Sequence, residues 1–110
     1  MKAKQGTITV LTGNHVAANA GRLCRPEVVS LYPITPQSEV AEQMSAFISD
    51  GELDAEIVEV EGENSAMNVV CAASMAGARV FTATSSYGLV FMYDTLLQTA
   101  AYRAPVIMVN

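Results

Sequence analysis

The chain has 110 residues, of which 51% are hydrophobic, and its formal net charge is −5 at pH 7. This length allows one small domain with a buried core, and the negative charge argues against nucleic acid or anionic membranes as partners. No apolar run approaches the ~20 residues of a membrane-spanning helix, and the N-terminal MKAKQGTITV has no hydrophobic segment typical of a signal peptide.

The first 31 residues predict a strand, a helix and a second strand. Residues 1–6 are expected to be a loose start, and the β-branched run 7–11 (TITVL) is expected to be an edge strand. A helix is predicted over 15–24, with Thr12 or Asn14 as its N-cap. The apolar run 27–31 (EVVSL) predicts a buried strand.

The segment 32–36, YPITP, leads into an amphipathic helix. Pro36 suits the first position of a helix, and Thr35 is the expected N-cap. The helix predicted over 36–50 ends at Gly51. Its apolar side chains have helical spacing and should face the core: Val40, Met44, Phe47 and Ile48.

The stretch 55–78 predicts a strand over 55–60, a sharp turn at Gly62 and a helix that begins at Glu63. Apolar or small residues lie on both sides of this helix, so we expect it to be covered all round. The stripe below Glu63 consists of Ala66, Met67, Val70, Cys71, Met75 and Ala78; the opposite face consists of Val69, Ala72, Ala73 and Ala76.

Glu63 stands at the head of this buried helix, where two opposing effects act on a carboxyl group. Poor solvation favours the neutral form, whereas the helix N-terminus favours the charged form. A carboxyl balanced in this way can exchange a proton with a ligand. The alternative is that Glu63 only caps the helix, since acidic residues are common in first turns.

The last third of the chain predicts a strand over 79–83, a turn over 84–88, a helix over 89–102 and a strand over 106–109. Strands and helices that alternate with short connections indicate an α/β fold with a mainly parallel sheet and helices on both faces. Ligands bind such sheets at the carboxyl ends of the strands, where the loops 32–35, 61–63 and 84–88 lie. Because the chain stops directly after a strand, we expect it to be part of a longer subunit.

The two cysteines, Cys24 and Cys71, are far apart and have no CxxC spacing. Cys71 lies on the apolar stripe and is expected to belong to the core. This usage fits a reducing compartment, so the expected location is cytoplasmic. Two thiolates are too few for an iron–sulfur cluster, which usually takes four.

Several of these segments together resemble the 2-oxoacid:ferredoxin oxidoreductases. YPITP followed by Ser38 and Glu42, EGENSAM around Glu63, and the T-S-x-x-G-L-like turn over 82–89 are all similar to segments of that family. So is the early helix with Gly13, Asn14, Ala17, Ala18 and Gly21. The likeness spans nearly the whole chain. It identifies residues 1–110 as the N-terminal part of the pyrimidine-binding domain of the thiamine diphosphate fold, which leads the α subunit.

The resemblance implies oxidative decarboxylation of a 2-oxoacid to an acyl-CoA, with electrons passing through iron–sulfur clusters to ferredoxin or a similar acceptor. It makes Glu63 the catalytic residue, hydrogen-bonded to the aminopyrimidine ring of thiamine diphosphate. Thr35 would face the substrate, and the other implied contacts are listed by role: Tyr32, Pro33 and Ile34 for the substrate; Ser86, Tyr87 and Gly88 for the cofactor.

The chain departs from the thiamine diphosphate enzymes at one motif, because it has no G-D-G with a later Asn to hold magnesium and diphosphate. The resemblance therefore implies that the cofactor is shared with a thiamine-diphosphate-binding β subunit. Magnesium and iron–sulfur clusters would lie on that and an iron–sulfur subunit. The family's substrate-binding arginine would follow residue 110.

Tyr87 stands where many members have a small residue or proline. It raises the possibility of an aromatic 2-oxoacid such as phenylglyoxylate, although a packed loop tyrosine is the alternative. Two other functions stay open at this point. One is another thiamine diphosphate enzyme that needs no iron, and the other is a non-catalytic assembly module with the same fold.

Overall fold

Five helices and four strands alternate along residues 6–110, the part of the chain that the computed structural model describes. The expected loose start at 1–6 lies, except for Gly6, outside these residues. The elements are α1 (Gly13–Leu23), β1 (Val28–Val29), α2 (Ser38–Ser49), β2 (Glu56–Ile57), α3 (Glu63–Met75), β3 (Val80–Ala83), α4 (Tyr87–Phe91), α5 (Tyr93–Ala101) and β4 (Val106–Val109). None of the helices in 6–110 is long and apolar enough to cross a membrane.

The four strands form one parallel sheet in the order β2-β1-β3-β4. Val80 of β3 is the register partner of both Val28 in β1 and Val106 in β4. The chain moves from β1 outward to β2, and then crosses back to place β3 on the other side of β1. This change of direction opens a crevice at the carboxyl ends of β1 and β3, where ligands bind in sheets of this kind.

Helices cover both faces of the sheet, as the sequence predicted. Neighbouring residues of a strand point to opposite faces, and Phe81 and Val80 belong to different core clusters. On one face, α1 and α2 bury Ala18, Val40, Met44 and Phe47 against Phe81 and Ala83. On the other face, Met67 and Val70 of α3 pack with Val80 and Met92. Cys71 is buried, as expected.

Helix α1 lies very close to β3. A Cβ on Gly21 would be 2.7 Å from Cε2 of Phe81, so only glycine lets the helix approach the aromatic ring at this distance. The N-cap of α1 is Thr12, whose hydroxyl accepts a hydrogen bond from the His15 backbone N–H at 3.3 Å. Of the two candidates, Thr12 is therefore the cap.

The edge strand expected over 7–11 is wrong. This segment has no secondary structure, and the side chains of Ile8 and Val10 are 98% and 95% exposed. High β-propensity describes how well a residue fits a paired, half-buried surface. No strand of the described chain lies beside 7–11, so these residues have no partner strand with which to form a sheet.

The start of α2 also differs from the expectation. The helix begins at Ser38, and its N-cap is Gln37, which makes no side-chain capping bond. The Gln37 N–H instead donates to the Ile34 carbonyl oxygen at 2.7 Å, which closes a turn before the helix. Pro36, preceded by a cis peptide bond, lies inside that turn, so the predicted capping role of Thr35 is wrong.

Two expectations about the later helices are wrong as well. Helix α3 is not covered all round, because Met75 is 57% exposed and Ala72 and Ala76 are exposed beside it. The single helix predicted over 89–102 is two helices, α4 and α5, separated at Met92 (φ −101°, ψ 5°). Met92 itself is buried, so the apolar spacing continues through the break and does not reveal it.

Candidate active site

Three loops meet at the carboxyl edge of the sheet. The loop after β1 and the turn after β3 are joined directly, because the Ser85 hydroxyl donates a hydrogen bond to the Thr35 carbonyl oxygen at 3.1 Å. The head of α3 reaches the same turn through Gly88. The structure therefore brings Thr35, Glu63 and the 84–88 turn together, although they are up to 53 residues apart in the chain.

Glu63 is the first residue of α3 and is half-buried. The chain bends at Glu61–Gly62, as predicted, but Gly62 is extended (φ −177°, ψ 171°), a conformation that any residue adopts, so the predicted need for glycine there is wrong. The neighbouring Glu61 and Asn64 are hydrogen-bonded, to Ser65 and Asp94. The Glu63 carboxyl, in contrast, has no hydrogen-bond partner within residues 6–110.

Gly88 forms one wall of the space around this carboxyl. A Cβ on Gly88 would lie 3.1 Å from both Cγ and Oε1 of Glu63, and it would collide with Oγ1 of Thr84. Glycine is therefore needed here for close approach of α4 to the carboxyl. Its burial confirms that the turn is packed tightly against the head of α3.

Thr84, to which the sequence assigned no role, lies near the same Cβ position of Gly88 as the Glu63 carboxyl. It is 1% exposed, and its hydroxyl has no hydrogen-bond partner within residues 6–110. An unsatisfied buried hydroxyl costs about 1–3 kcal/mol. Thr84 is the threonine of the T-S-x-x-G-L-like turn, so the resemblance offered a signal, although it gave this residue no role of its own.

Ser86 gives the turn its unusual backbone. Its φ of 51° and ψ of −128° lie in a region that costs a residue with a side chain about 1–3 kcal/mol. Tyr87 follows, with its side chain 81% exposed, so the alternative of a packed loop tyrosine is wrong. Of the three residues expected to contact the cofactor, only Gly88 is buried beside Glu63.

The expected substrate-binding segment is divided between two places. Tyr32 and Pro33 line a cavity of about 240 Å³ that extends under β2 to Ile57 and Glu59, and neither Thr35 nor Glu63 lines it. The backbone carbonyl of Ile34 is engaged by Gln37, as described above. Thr35 is exposed at the carboxyl edge, where its carbonyl oxygen accepts the bond from Ser85, and its hydroxyl makes no hydrogen bond within residues 6–110.

Glu61 carries the second carboxyl near the head of α3. The hydrogen bond from the Ser65 hydroxyl lowers the pKa of Glu61 below its usual value, with a smaller backbone contribution. Glu61 is fully exposed, so it stays ionised and solvated at neutral pH. In residues 6–110 no group of three His, Cys, Asp or Glu side chains is placed to hold a metal ion.

Comparison with known proteins gives consistent results. A family model described as pyruvate flavodoxin/ferredoxin oxidoreductase, thiamine diphosphate-binding, matches residues 19–110. Pyruvate synthase subunit PorA of Methanothermobacter thermautotrophicus is 46% identical over 103 residues, which are 94% of this chain and 27% of that protein. The alpha subunit of NADH-dependent phenylglyoxylate dehydrogenase from Aromatoleum evansii is 43% identical over 101 residues, 92% of this chain and 24% of that protein.

A solved structure is similar as well. The 2-oxoglutarate:ferredoxin oxidoreductase of Magnetococcus marinus, solved with 2-oxoglutarate, coenzyme A and succinyl-CoA bound, superimposes with a TM-score of 0.81 at 32% identity. The match covers 89% of this chain and 17% of that one. The chain thus spans about a quarter of the length of the curated relatives that it matches. Those relatives have similar identities but different 2-oxoacids in their names.

Proposed function

Because this chain belongs to the pyruvate flavodoxin/ferredoxin oxidoreductase family through its thiamine diphosphate-binding domain, we propose that it is the part of an α subunit that activates this cofactor. The whole enzyme would oxidatively decarboxylate a 2-oxoacid to an acyl-CoA. Two electrons would leave through iron–sulfur clusters to ferredoxin or a similar acceptor. The observation that carries this proposal is the unpaired Glu63 carboxyl in a crevice formed by Gly88 and Thr84.

The residues of the crevice fit the aminopyrimidine half of thiamine diphosphate. To bind through a ring nitrogen, a nitrogen heterocycle needs a carboxyl group with a free oxygen. It also needs a neighbouring surface without a bulky side chain, against which the flat ring can lie. Glu63 provides the first and Gly88 the second. When bound, the cofactor supplies an electron sink for the decarboxylation. In this proposal Glu63 would hold and exchange a proton at the ring nitrogen, and Ser86, Tyr87 and Gly88 would contribute to binding the cofactor.

The substrate and the other groups are assigned as follows. The Thr35 hydroxyl, unpaired in the described part of the chain, would donate to the carboxylate or carbonyl of the 2-oxoacid. Tyr32, Pro33 and Ile34 would shape the approach to it. Magnesium and diphosphate would be held by a thiamine-diphosphate-binding β subunit. A further subunit would hold the iron–sulfur clusters.

The 2-oxoacid itself is proposed only as a class. The named substrates of the relatives include pyruvate and phenylglyoxylate at nearly the same identity to this chain. Tyr87 is exposed beside the crevice and could widen it for an aryl group or contact a partner subunit. Comparing kcat/KM for pyruvate and phenylglyoxylate in the assembled enzyme would decide between a small and an aromatic substrate.

The test is Glu63→Gln in the enzyme assembled with its partner subunits, with Glu61→Gln as the matched control. Glu63→Gln keeps the shape but removes the exchangeable proton, and we expect kcat to fall ~10²–10⁴-fold while thiamine diphosphate still binds. Glu61 is fully exposed, so Glu61→Gln should retain near wild-type kcat. If Glu63→Gln keeps more than about a tenth of the wild-type rate, the proposed role of Glu63 is wrong.

A further inference from the structure

Two buried threonines, Thr82 in β3 and Thr84 directly after it, share an unusual property. Thr82 and Thr84 are almost completely buried, and both hydroxyl groups lack a hydrogen-bond partner within residues 6–110. Both side chains point to the α3 face of the sheet, because they alternate with Phe81 and Ala83 of the opposite cluster. Buried hydroxyls are normally paired, so two unpaired ones in one short segment require an explanation.

The surroundings of the two hydroxyls differ. Oγ1 of Thr84 and Oε1 of Glu63 both lie against the position that a Cβ of Gly88 would occupy. Only the absence of this Cβ leaves a direct path between the hydroxyl and the carboxyl. Thr82 is two residues, or roughly 6.6 Å, further from the carboxyl edge of the sheet. It therefore has no comparable access to Glu63.

We propose that Thr84 is a positioning residue for Glu63, and that its hydroxyl donates a hydrogen bond to the Glu63 carboxyl when thiamine diphosphate is bound. The inference rests on the proposed function of Glu63 and deepens it. A small rotation of the glutamate side chain across Gly88 satisfies the buried donor and fixes the direction of the second carboxyl oxygen. That oxygen then faces the cofactor in one orientation, as catalysis by a carboxyl group requires.

The test uses three variants of the assembled enzyme: Thr84→Val, Thr84→Ser and the matched control Thr82→Val. Valine has the shape of threonine without the donor, and removing an unpaired buried hydroxyl should leave the melting temperature unchanged or raise it. Thr84→Val should weaken thiamine diphosphate binding about 10-fold, measured by calorimetry with magnesium present. It should also lower kcat about 10-fold with little change in KM for the 2-oxoacid, as expected for loss of a charge-assisted hydrogen bond.

Thr84→Ser keeps the hydroxyl and should restore both cofactor affinity and kcat, whereas Thr82→Val should behave as the wild type. If Thr84→Val and Thr82→Val give the same dissociation constant and kcat, the inference is overturned. The same conclusion follows if Thr84→Ser is as impaired as Thr84→Val, because packing rather than the hydroxyl would then be responsible.

A double-mutant cycle in the dissociation constant of the cofactor shows whether Thr84 acts through Glu63. In a Glu63→Ala background no acceptor remains, so adding Thr84→Val should change the dissociation constant less than twofold. An undiminished 10-fold effect there would overturn the inference, since Thr84 would act independently. Full activity of Glu63→Gln would refute the proposed function of Glu63. If Glu63→Gln loses activity while Thr84→Val has the kcat and cofactor affinity of the wild type, only the inference about Thr84 is refuted.

Discussion

At the scale of single residues, Gly88 is the position of the site where the neighbouring atoms leave no room for a side chain. Gly88→Ala places a methyl group 3.1 Å from the Glu63 carboxyl oxygen and in collision with the Thr84 hydroxyl. The Thr84 hydroxyl must move and the Glu63 carboxyl must give by a few tenths of an ångström, so we expect kcat to fall about 10-fold, since a misplacement of ~1 Å costs roughly 10²-fold. Steady-state kinetics of the assembled enzyme measure this loss.

Gly62→Ala is the control for that substitution. Gly62 is the residue before Glu63, its backbone is extended, and a Cβ there meets no atom within 4 Å. Because Gly62 is also the N-cap of α3, where alanine is less favourable than glycine, we expect a loss of up to about 1 kcal/mol in the free energy of unfolding but wild-type kinetics. Equal losses in the two variants would show that any added methyl group near Glu63 is harmful, and the argument from Gly88 would be wrong.

Thr35 gives a second prediction at this scale, because the structure assigns its hydroxyl no capping role. Thr35→Val should leave the free energy of unfolding unchanged but raise KM for the 2-oxoacid or lower kcat. Thr12→Val is the contrasting variant, since Thr12 does cap α1, and it should cost about 1 kcal/mol of stability without a kinetic effect. Denaturant unfolding and steady-state kinetics are measured on both variants. A loss of stability with unchanged kinetics in Thr35→Val would show that Thr35 has a structural role and does not bind the substrate.

At the scale of elements, sequence patterns predicted the elements that are defined by one buried face. The alternation of strands and helices, the core face of α2 and the bounds of β4 follow from local apolar spacing, so the sequence was sufficient for them. The break at Met92 and the exposed side of α3 depend instead on which elements pack there. The apolar residues have the same 3.6-residue spacing whether a helix is covered on one side or on all sides, and whether it is continuous or broken.

The site follows the same rule. Glu63 was predicted as a site residue because it heads an apolar stripe in a segment that resembles the family, and the loops at the carboxyl edge were predicted because the sheet is parallel. Thr84 was given no role, since the closeness of both its hydroxyl and the Glu63 carboxyl to Gly88 arises only in three dimensions. The separation of Tyr32 from Thr35 was also not predictable, because adjacent residues of one loop face different cavities.

A polar network between α3 and α5 provides a prediction for an element pair. Asn64, the residue after Glu63, donates to Oδ1 of Asp94 at 2.7 Å, and the Thr95 N–H donates to the same oxygen at 2.8 Å. Asn64→Ala removes the shorter of the side-chain links between the helices, leaving the Asn68–Thr95 bond at 3.3 Å, and should cost about 0.5–1.5 kcal/mol of unfolding free energy. Gln98 bonds only to Tyr102 within α5, so Gln98→Ala should cost less than about 0.5 kcal/mol. Equal melting temperatures of the two variants would contradict a stabilising role for this link.

At the scale of the whole molecule, the crevice opens beside a strongly apolar surface. On α4, next to Gly88, the side chains of Val90 and Phe91 are exposed, Phe91 by 69%, and Tyr87 is exposed beside them. Exposed apolar side chains that cluster around a site indicate a surface that another chain covers. This agrees with the proposed sharing of the cofactor with a β subunit, which would complete the site from this side.

The last prediction concerns Phe91→Asp, made in the α subunit and co-expressed with the partner subunits. A buried carboxylate would face the β subunit without a counter-charge, so we expect loss of the complex and, with it, of thiamine diphosphate binding. Leu23→Asp is the matched control, because Leu23 is equally exposed but ends α1 at the opposite end of the sheet. Native mass spectrometry and calorimetry measure assembly and cofactor binding. Because Phe91 is exposed here, the variant α subunit should fold normally, so assembly equal to that of Leu23→Asp would place the β subunit on a different surface.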